Sequence, residues 1–259
     1  MTLVRTESDG NIGTITLDHD KKRNALSKAL IDEIIEAFAE FELQKVRVVV
    51  LRANKGVKVW SAGHDVNELP RSGRDPLAYT DPLEQVIRTL RAYPGAVIGM
   101  IEGSVWGGAC ELALCCDLLV ATPESTFAIT PARLGLPYNA SGLLRVMNAV
   151  GIMIAKELFF TAEPISAERA HLAGVVNHVV AAFRIESFTY DLARRISENS
   201  PLAIASIKET LRLLSNAAPL HPETFERIQG LRRAVYDSAD YREGVTAFLE
   251  KRKPVFKGD

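Results

Sequence analysis

The sequence predicts an α/β fold with a largely parallel sheet, followed by an all-helical C-terminal region. Three observations predict it. Short apolar strands alternate with helical stretches from residue 12 to residue 121. After Pro201 the pattern changes to uninterrupted helical periodicity. The composition is that of an ordinary globular protein, with 47% apolar and 24% charged residues, which excludes disorder, collagen-like repeats and low-complexity scaffolds. The 259 residues allow one large domain or two small ones. The change of pattern divides them into a core over 1–200 and a helical region over 201–259.

Each element has a local reason. Ile12-Gly13-Thr14-Ile15-Thr16-Leu17 alternates apolar with small or polar residues, the period of a half-buried strand. Ser27 can cap a helix in which Leu30, Ile31, Ile34, Ile35, Phe38 and Phe41 recur at helical spacing. Val46-Arg47-Val48-Val49-Val50-Leu51 is a buried strand. A polar, Gly-containing loop over 53–81 then leads to a helix over 83–91. Ala96-Val97-Ile98-Gly99-Met100-Ile101 and Leu118-Leu119-Val120-Ala121 are two further strands. Between them a Gly-rich turn runs into a short apolar helix over 103–116. In the C-terminal region, Ile204, Ile207, Leu211 and Leu214 open a helical series that continues over 225–235 and 241–249. No internal repeat is visible.

Charge and cysteine usage narrow the function classes. Lys and Arg total 31 against 32 acidic residues, so no basic footprint points to nucleic acid or an anionic membrane. The most apolar run, over 105–121, carries Glu111 and Asp117 and does not read as a bilayer span. The first nine residues lack the charged-then-apolar form of a secretory signal. Cys110, Cys115 and Cys116 are an odd, clustered set in an apolar segment, as expected of reduced core thiols in the cytoplasm. No second Cys or His pair stands at zinc-ligand spacing, so no metal site is expected.

Three segments carry a resemblance: Arg23-Asn24-Ala25-Leu26, then Ser61-Ala62-Gly63-His64-Asp65-Val66, then the stretch from Gly103 to Leu112 that contains Trp106-Gly107-Gly108-Ala109-Cys110-Glu111. Their order and spacing, the stretch over 127–135 and the tail over 243–257 fit as well. Together they resemble the crotonase (enoyl-CoA hydratase/isomerase) superfamily over nearly the whole chain. The resemblance implies a superhelical spiral of ββα turns with C-terminal helices at a trimer interface, two trimers often forming a hexamer. It also implies an acyl-CoA substrate, with coenzyme A belonging to the substrate and no separate cofactor.

Members of this family stabilise the enolate of a thioester, which needs two hydrogen-bond donors converging on one oxygen away from water. By position, the resemblance assigns these donors to the backbone amides of His64 and Gly108. Gly108 opens a helix, whose positive end faces the developing charge. The His64 imidazole either contributes near a substrate carboxylate or has no role. The resemblance gives the loop of Ala62, Gly63, His64, Asp65 and Val66 to coenzyme A, with Lys21, Lys22 and Arg23 near the nucleotide end. It gives Thr130 to the acyl pocket, and to the coenzyme A phosphates Lys251, placed in the tail helix.

Hydratases of the family use two glutamates. Glu111 occupies the position of the first, whereas Pro131 stands at the second and cannot accept a proton. Decarboxylation needs no base, because the departing carboxylate itself generates the carbanion; what it requires is orientation and electrostatics. His64, Val105-Trp106-Gly107-Gly108, and Thr130-Pro131 followed by Leu136-Pro137-Tyr138-Asn139 resemble the branch that decarboxylates methylmalonyl-CoA to propionyl-CoA and carbon dioxide. There the Tyr138 phenol would hydrogen-bond the substrate carboxylate. Glu111 would protonate the enolate, order a water, or persist as a family remnant. The alternatives are another acyl-CoA reaction (hydration, isomerisation or thioester hydrolysis) or a non-catalytic CoA- or RNA-binding member of the family.

Overall fold

The computed structural model describes residues 2–69, 79–215 and 222–258. A hairpin opens the chain, β1 (Val4–Asp9) against β2 (Ile12–Leu17), and leads to α1 (Lys28–Leu43). Three ββα turns follow: β3 (Val48–Ala53), β4 (Val59–Ser61) and α2 (Pro82–Ala92); β5 (Ala96–Ile101), β6 (Ser104–Trp106) and α3 (Gly108–Leu114); β7 (Leu118–Ala121), β8 (Thr126–Ala128) and α4 (Ala140–Thr161). The chain then passes through β9 (Ile165–Ser166), α5 (Ala167–Leu172), β10 (His178–Val179) and α6 (Ile185–Ser197). It closes with α7 (Pro201–Ser215), α8 (Pro222–Asp237) and α9 (Ala239–Leu249).

The first strand of each turn joins one sheet and the second strand joins another. The larger sheet has the order β1-β2-β3-β5-β7-β10, the smaller β4-β6-β8-β9. Apart from the β1–β2 hairpin and the β8–β9 pair, all neighbours are parallel. This is the ββα spiral, a structural repeat without sequence self-similarity. Its strands read as continuous apolar runs because both faces are covered. In β3, Val49 and Leu51 pack with Leu30, Ile34 and Phe38 of α1, while Val48 and Val50 pack with Ile185 and Ala193 of α6.

The helix capped by Ser27, the strand over 96–101 and the strand over 118–121 stand where the sequence puts them. Other elements differ. The β1 strand has no counterpart in the sequence reading, since its residues are mostly exposed and polar. The buried strand starts two residues later than expected, because Val46 is spent on the turn after α1. The expected loop over 53–81 contains β4 and a 3-10 turn, Val66–Glu68; its residues 70–78 lie outside the described set. Two- and three-residue strands are too short to show a period.

The C-terminal region is helical, as expected, and does not stand apart from the core. A Cβ built on Gly244 of α9 would lie 2.2 Å from the Leu134 carbonyl oxygen, and one built on Gly135 would lie 2.7 Å from that of Asp240. Thus α9 is pressed backbone to backbone onto the 3-10 turn Pro131–Leu134. By contrast α7 buries none of its residues, and exposes Leu202, Ile207, Leu211 and Leu214. The Lys208 side chain ties α7 to the core through the Leu90 and Gly95 carbonyls and the Asp117 carboxylate. Lys251 is not in the tail helix: α9 ends at Leu249, and Lys251 follows in a left-handed turn, φ 57°. Among the described residues, no helix is long and apolar enough to cross a membrane.

Candidate active site

The small sheet positions the site. Its three parallel strands β4, β6 and β8 end side by side, at the ~4.8 Å spacing of paired strands. Each strand runs directly into one candidate segment: Ala62-Gly63-His64 after β4, Gly107-Gly108 after β6, and Thr130-Pro131 shortly after β8.

Two glycines make this convergence possible. Gly63 has φ +83°, and a Cβ on it would lie 2.4 Å from the Trp106 carbonyl oxygen and 3.2 Å from the Gly108 nitrogen. Gly107, at φ 53° and ψ −124°, turns the chain from strand into helix through a region closed to other residues. The two predicted amides are therefore neighbours: a Cβ on Gly108 would stand 3.7 Å from the His64 nitrogen. Among the described residues neither N–H has a protein acceptor. The Arg23-to-Leu26 motif braces this loop from behind. Ala62 N donates to the Arg23 carbonyl at 2.9 Å, Leu26 N to the Gly63 carbonyl at 2.8 Å, and the fully buried Asn24 donates to the Trp60 carbonyl at 3.0 Å.

The amides open onto a cavity of about 100 Å³ whose walls include Ala62, His64, Val66, Gly108, Thr130, Pro131 and Tyr138, closed by Leu83 and Phe248. Ala62, Thr130, Leu134 and Phe248 also line an adjoining groove of about 370 Å³ that passes Arg23 and Arg133. Gly63 and Asp65 shape the loop without lining the cavity. The Asp65 carboxylate caps the 3-10 turn by accepting from Asn67 N at 3.0 Å. Lys251 is exposed and lines neither space, and Lys21 and Lys22 are exposed in the turn before Arg23. A larger concavity of about 580 Å³ lies elsewhere, between β1–β3 and α6, and holds none of the candidate residues. Its Arg5, Arg52 and Arg194 side chains are paired with Asp18, Glu186 and Asp191.

Behind the cavity wall stands a buried polar cluster. The Tyr138 hydroxyl donates to Glu111 Oε2 at 2.5 Å. Arg145 Nε donates to Glu111 Oε1 at 2.7 Å, and its Nη2 reaches Glu84 Oε1 at 2.5 Å. Glu84 Oε1 also accepts from Asn139 Nδ2 at 2.7 Å. Glu111 is 1% exposed and stands behind the cavity wall, hydrogen-bonded to the hydroxyl of Tyr138, which lines the cavity. Burial pushes its carboxyl above the usual glutamate range, and Arg145 and Tyr138 hold back only part of that rise. Burial, then the neighbouring Glu111, drives the Tyr138 phenol well up. Burial opposes the Arg145 cation, but Glu111, Cys115 and Glu84 outweigh it and hold the guanidinium charged.

The sequence reading reaches Tyr138 and Glu111 separately and does not reach Arg145, Glu84 or Arg133. Arg145 and Glu84 lie on α4 and α2, 34 and 27 positions from Glu111 on α3, and no local spacing links them. Near the amides, the Asp81 carboxyl is raised by burial, while His64 pulls it back. The His64 Nδ1 is buried without a protein partner among the described residues. Cys110, Cys115 and Cys116 are free thiols. No group of three or more metal-binding side chains occurs among the described residues.

The sequence profile of the enoyl-CoA hydratase/isomerase family matches residues 7–259. The chain is 51% identical over 255 residues to the methylmalonyl-CoA decarboxylase of Escherichia coli (strain K12), covering 98% of both chains. It is 32% identical over 247 residues to the 2,3-dehydroadipyl-CoA hydratase of the same organism, covering 94% of both. A solved structure of methylmalonyl-CoA decarboxylase in complex with 2-nitronate-propionyl-CoA matches with a TM-score of 0.98 at 49% identity, over 100% of this chain and 99% of that one. A second solved structure, complexed with 2S-carboxypropyl CoA, matches with the same TM-score, identity and coverage.

Proposed function

The chain belongs to the enoyl-CoA hydratase/isomerase (crotonase) family, and we propose that within it this chain is a carboxy-lyase converting methylmalonyl-CoA to propionyl-CoA and carbon dioxide. One observation carries the choice of reaction. The cavity that holds the two amides and a phenol carries Pro131 where a hydratase needs its second carboxylate, and Glu111, at the position of the first, is behind the wall. The identity of 51% to a methylmalonyl-CoA decarboxylase supports the same reading.

The thioester oxygen sits between the N–H groups of His64 and Gly108, and the carboxylate sits against Tyr138. This holds the C–CO₂ bond perpendicular to the thioester plane. The bond's electron pair then flows into the thioester as carbon dioxide leaves, and the two amides, rigid and dry, stabilise the enolate oxygen. C2 finally takes up one proton, which balances the reaction. A neutral phenol suits the carboxylate better than a cation would, because a strong ion pair stabilises the ground state more than the charge-losing transition state. In the free chain the Tyr138 proton is donated to Glu111, so it must turn toward the substrate on binding. Thr130 borders the acyl group, and the groove past Arg23 and Arg133 takes the coenzyme A portion. No separate cofactor has a part in this scheme, and the three free thiols fit a cytoplasmic location.

The assembly we propose is a trimer, or a hexamer of two trimers, with residues 201–259 as the oligomerisation region. The apolar residues left exposed on α7 support it, and in such an assembly Lys251 would serve a neighbouring copy. Light scattering should give three or six chains per particle; a monomer at working concentration removes this interface.

A panel of acyl-CoA thioesters tests the reaction. Methylmalonyl-CoA should release carbon dioxide without added metal, biotin or nucleotide, and crotonyl-CoA should be hydrated slowly or not at all. Efficient hydration, or activity lost to chelation and restored by a divalent ion, contradicts the assignment. The Tyr138→Phe variant should keep the fold and bind propionyl-CoA as before. A hydrogen bond to a charged group is worth ~1.5–3 kcal/mol, so turnover should fall roughly 10- to 150-fold. Unchanged turnover would make Tyr138 structural.

A further inference from the structure

We propose that binding of the substrate carboxylate is coupled to uptake of one proton by the Tyr138–Glu111 pair, with Arg145 and Glu84 as the positioning residues that hold the pair ready for it. This rests on the decarboxylase reading and adds a step to it.

One proton stands between two oxygens, those of Tyr138 and Glu111. In the free chain the Tyr138 hydroxyl donates to Glu111 Oε2, and an ionised carboxylate can only accept. Tyr138 therefore turns lone pairs, not its proton, toward the cavity it lines. A second carboxylate arriving against the phenol meets those lone pairs, with the phenol proton turned away from it.

Charge points the same way. The cluster already holds two carboxylates, Glu111 and Glu84, on the single guanidinium of Arg145, all nearly out of water. The substrate would add a further negative charge to this buried set, where like charges favour protonation of one member. A proton taken from solvent onto Glu111 relieves both problems. Glu111 then donates to the phenol oxygen, and the phenol proton turns to the substrate carboxylate. No other bond is made or broken, and because carbon dioxide leaves neutral, the charge moves away from Tyr138 to the enolate oxygen.

Arg145 holds back part of the rise that burial imposes on the Glu111 carboxyl. The groups facing the pair are Arg145 from α4, Glu84 from α2, and Cys110 and Cys115 from the α3 region. Burial pushes both thiols up to about 12, so neither gains or loses a proton near neutral pH. His64 lines the same cavity and Asp81 lies near it, and the variants below leave both in place.

Calorimetric titration near neutral pH, repeated in buffers of contrasting ionisation enthalpy, counts the protons. The probes are 2S-carboxypropyl CoA, which carries the carboxylate, and propionyl-CoA, which lacks it. Uptake should approach one proton per site with the first and be absent with the second. It should vanish in Glu111→Gln. In Arg145→Met it should also vanish while binding persists, because Glu111 is then protonated before the ligand arrives; a merely structural Arg145 would weaken binding and leave the protons per bound ligand unchanged. Difference infrared spectra of the unmodified protein give a second readout that needs no variant. Carboxypropyl-CoA should replace a carboxylate band by a protonated-carboxyl band. Absence of uptake with carboxypropyl-CoA, equal uptake with both probes, or uptake that persists in Glu111→Gln overturns the proposal. Carbon dioxide release measured on the same preparation separates the two readings: turnover without uptake removes the coupling alone, whereas no turnover and no binding of carboxypropyl-CoA removes both.

Discussion

The contact on which the rest of this site depends is the one between the Gly63 backbone and the Trp106 carbonyl. Only a residue without a Cβ can stand there, since the added atom would lie 2.4 Å from that oxygen. The contact is held from two sides. The parallel pairing of β4 with β6 sets how far each strand extends before it turns, and the fully buried Trp60 and Asn24 lock the loop from below. With these fixed, the His64 and Gly108 backbones stand side by side at the wall of one cavity. Backbone amides held this way need no reorganisation as charge develops on an oxygen between them, and this is where such donors contribute most.

Around this rigid point the chain places parts that differ in chemistry but share one origin, the ends of parallel strands. The third strand, β8, delivers Thr130 and Pro131, and the turn after it is clamped by α9 through Gly135 and Gly244. The C-terminal helices therefore do more than present an apolar surface: Phe248 of α9 closes the cavity. Behind the wall, Arg145 bridges two carboxylates that would each be costly to bury alone. It fixes Glu111 against Tyr138, so the phenol's proton becomes a controlled quantity instead of a free rotor.

Much of this was legible in the sequence, for identifiable reasons. The Ser27 cap, the strand over 96–101 and the apolar face of α1 follow from local periodicity, which a linear reading sees directly. Gly63, Gly107 and Gly108 stand out because such turns have few substitutes. The two- and three-residue strands of the small sheet show no period, and their pairing is a long-range matter. The same holds for the cluster. Glu111 and Tyr138 each read as isolated candidates, and Arg145 and Glu84 as ordinary helix residues; only the packing of α2, α3 and α4 brings the four together. Lys251 illustrates the converse: the local period ends at Leu249, where α9 ends, and it was the resemblance that placed Lys251 in the tail helix.

The central claim is that the His64 and Gly108 amides together hold the enolate oxygen. A crystal structure of this chain with 2-nitronate-propionyl-CoA, whose nitronate carries the charge pattern of an enolate next to the thioester, tests it most directly. The thioester oxygen should lie within about 2.7–3.1 Å of both nitrogens, the range in which such donors act. A thioester oxygen bound by only one of them, or turned toward Tyr138 or the His64 ring instead, would contradict it.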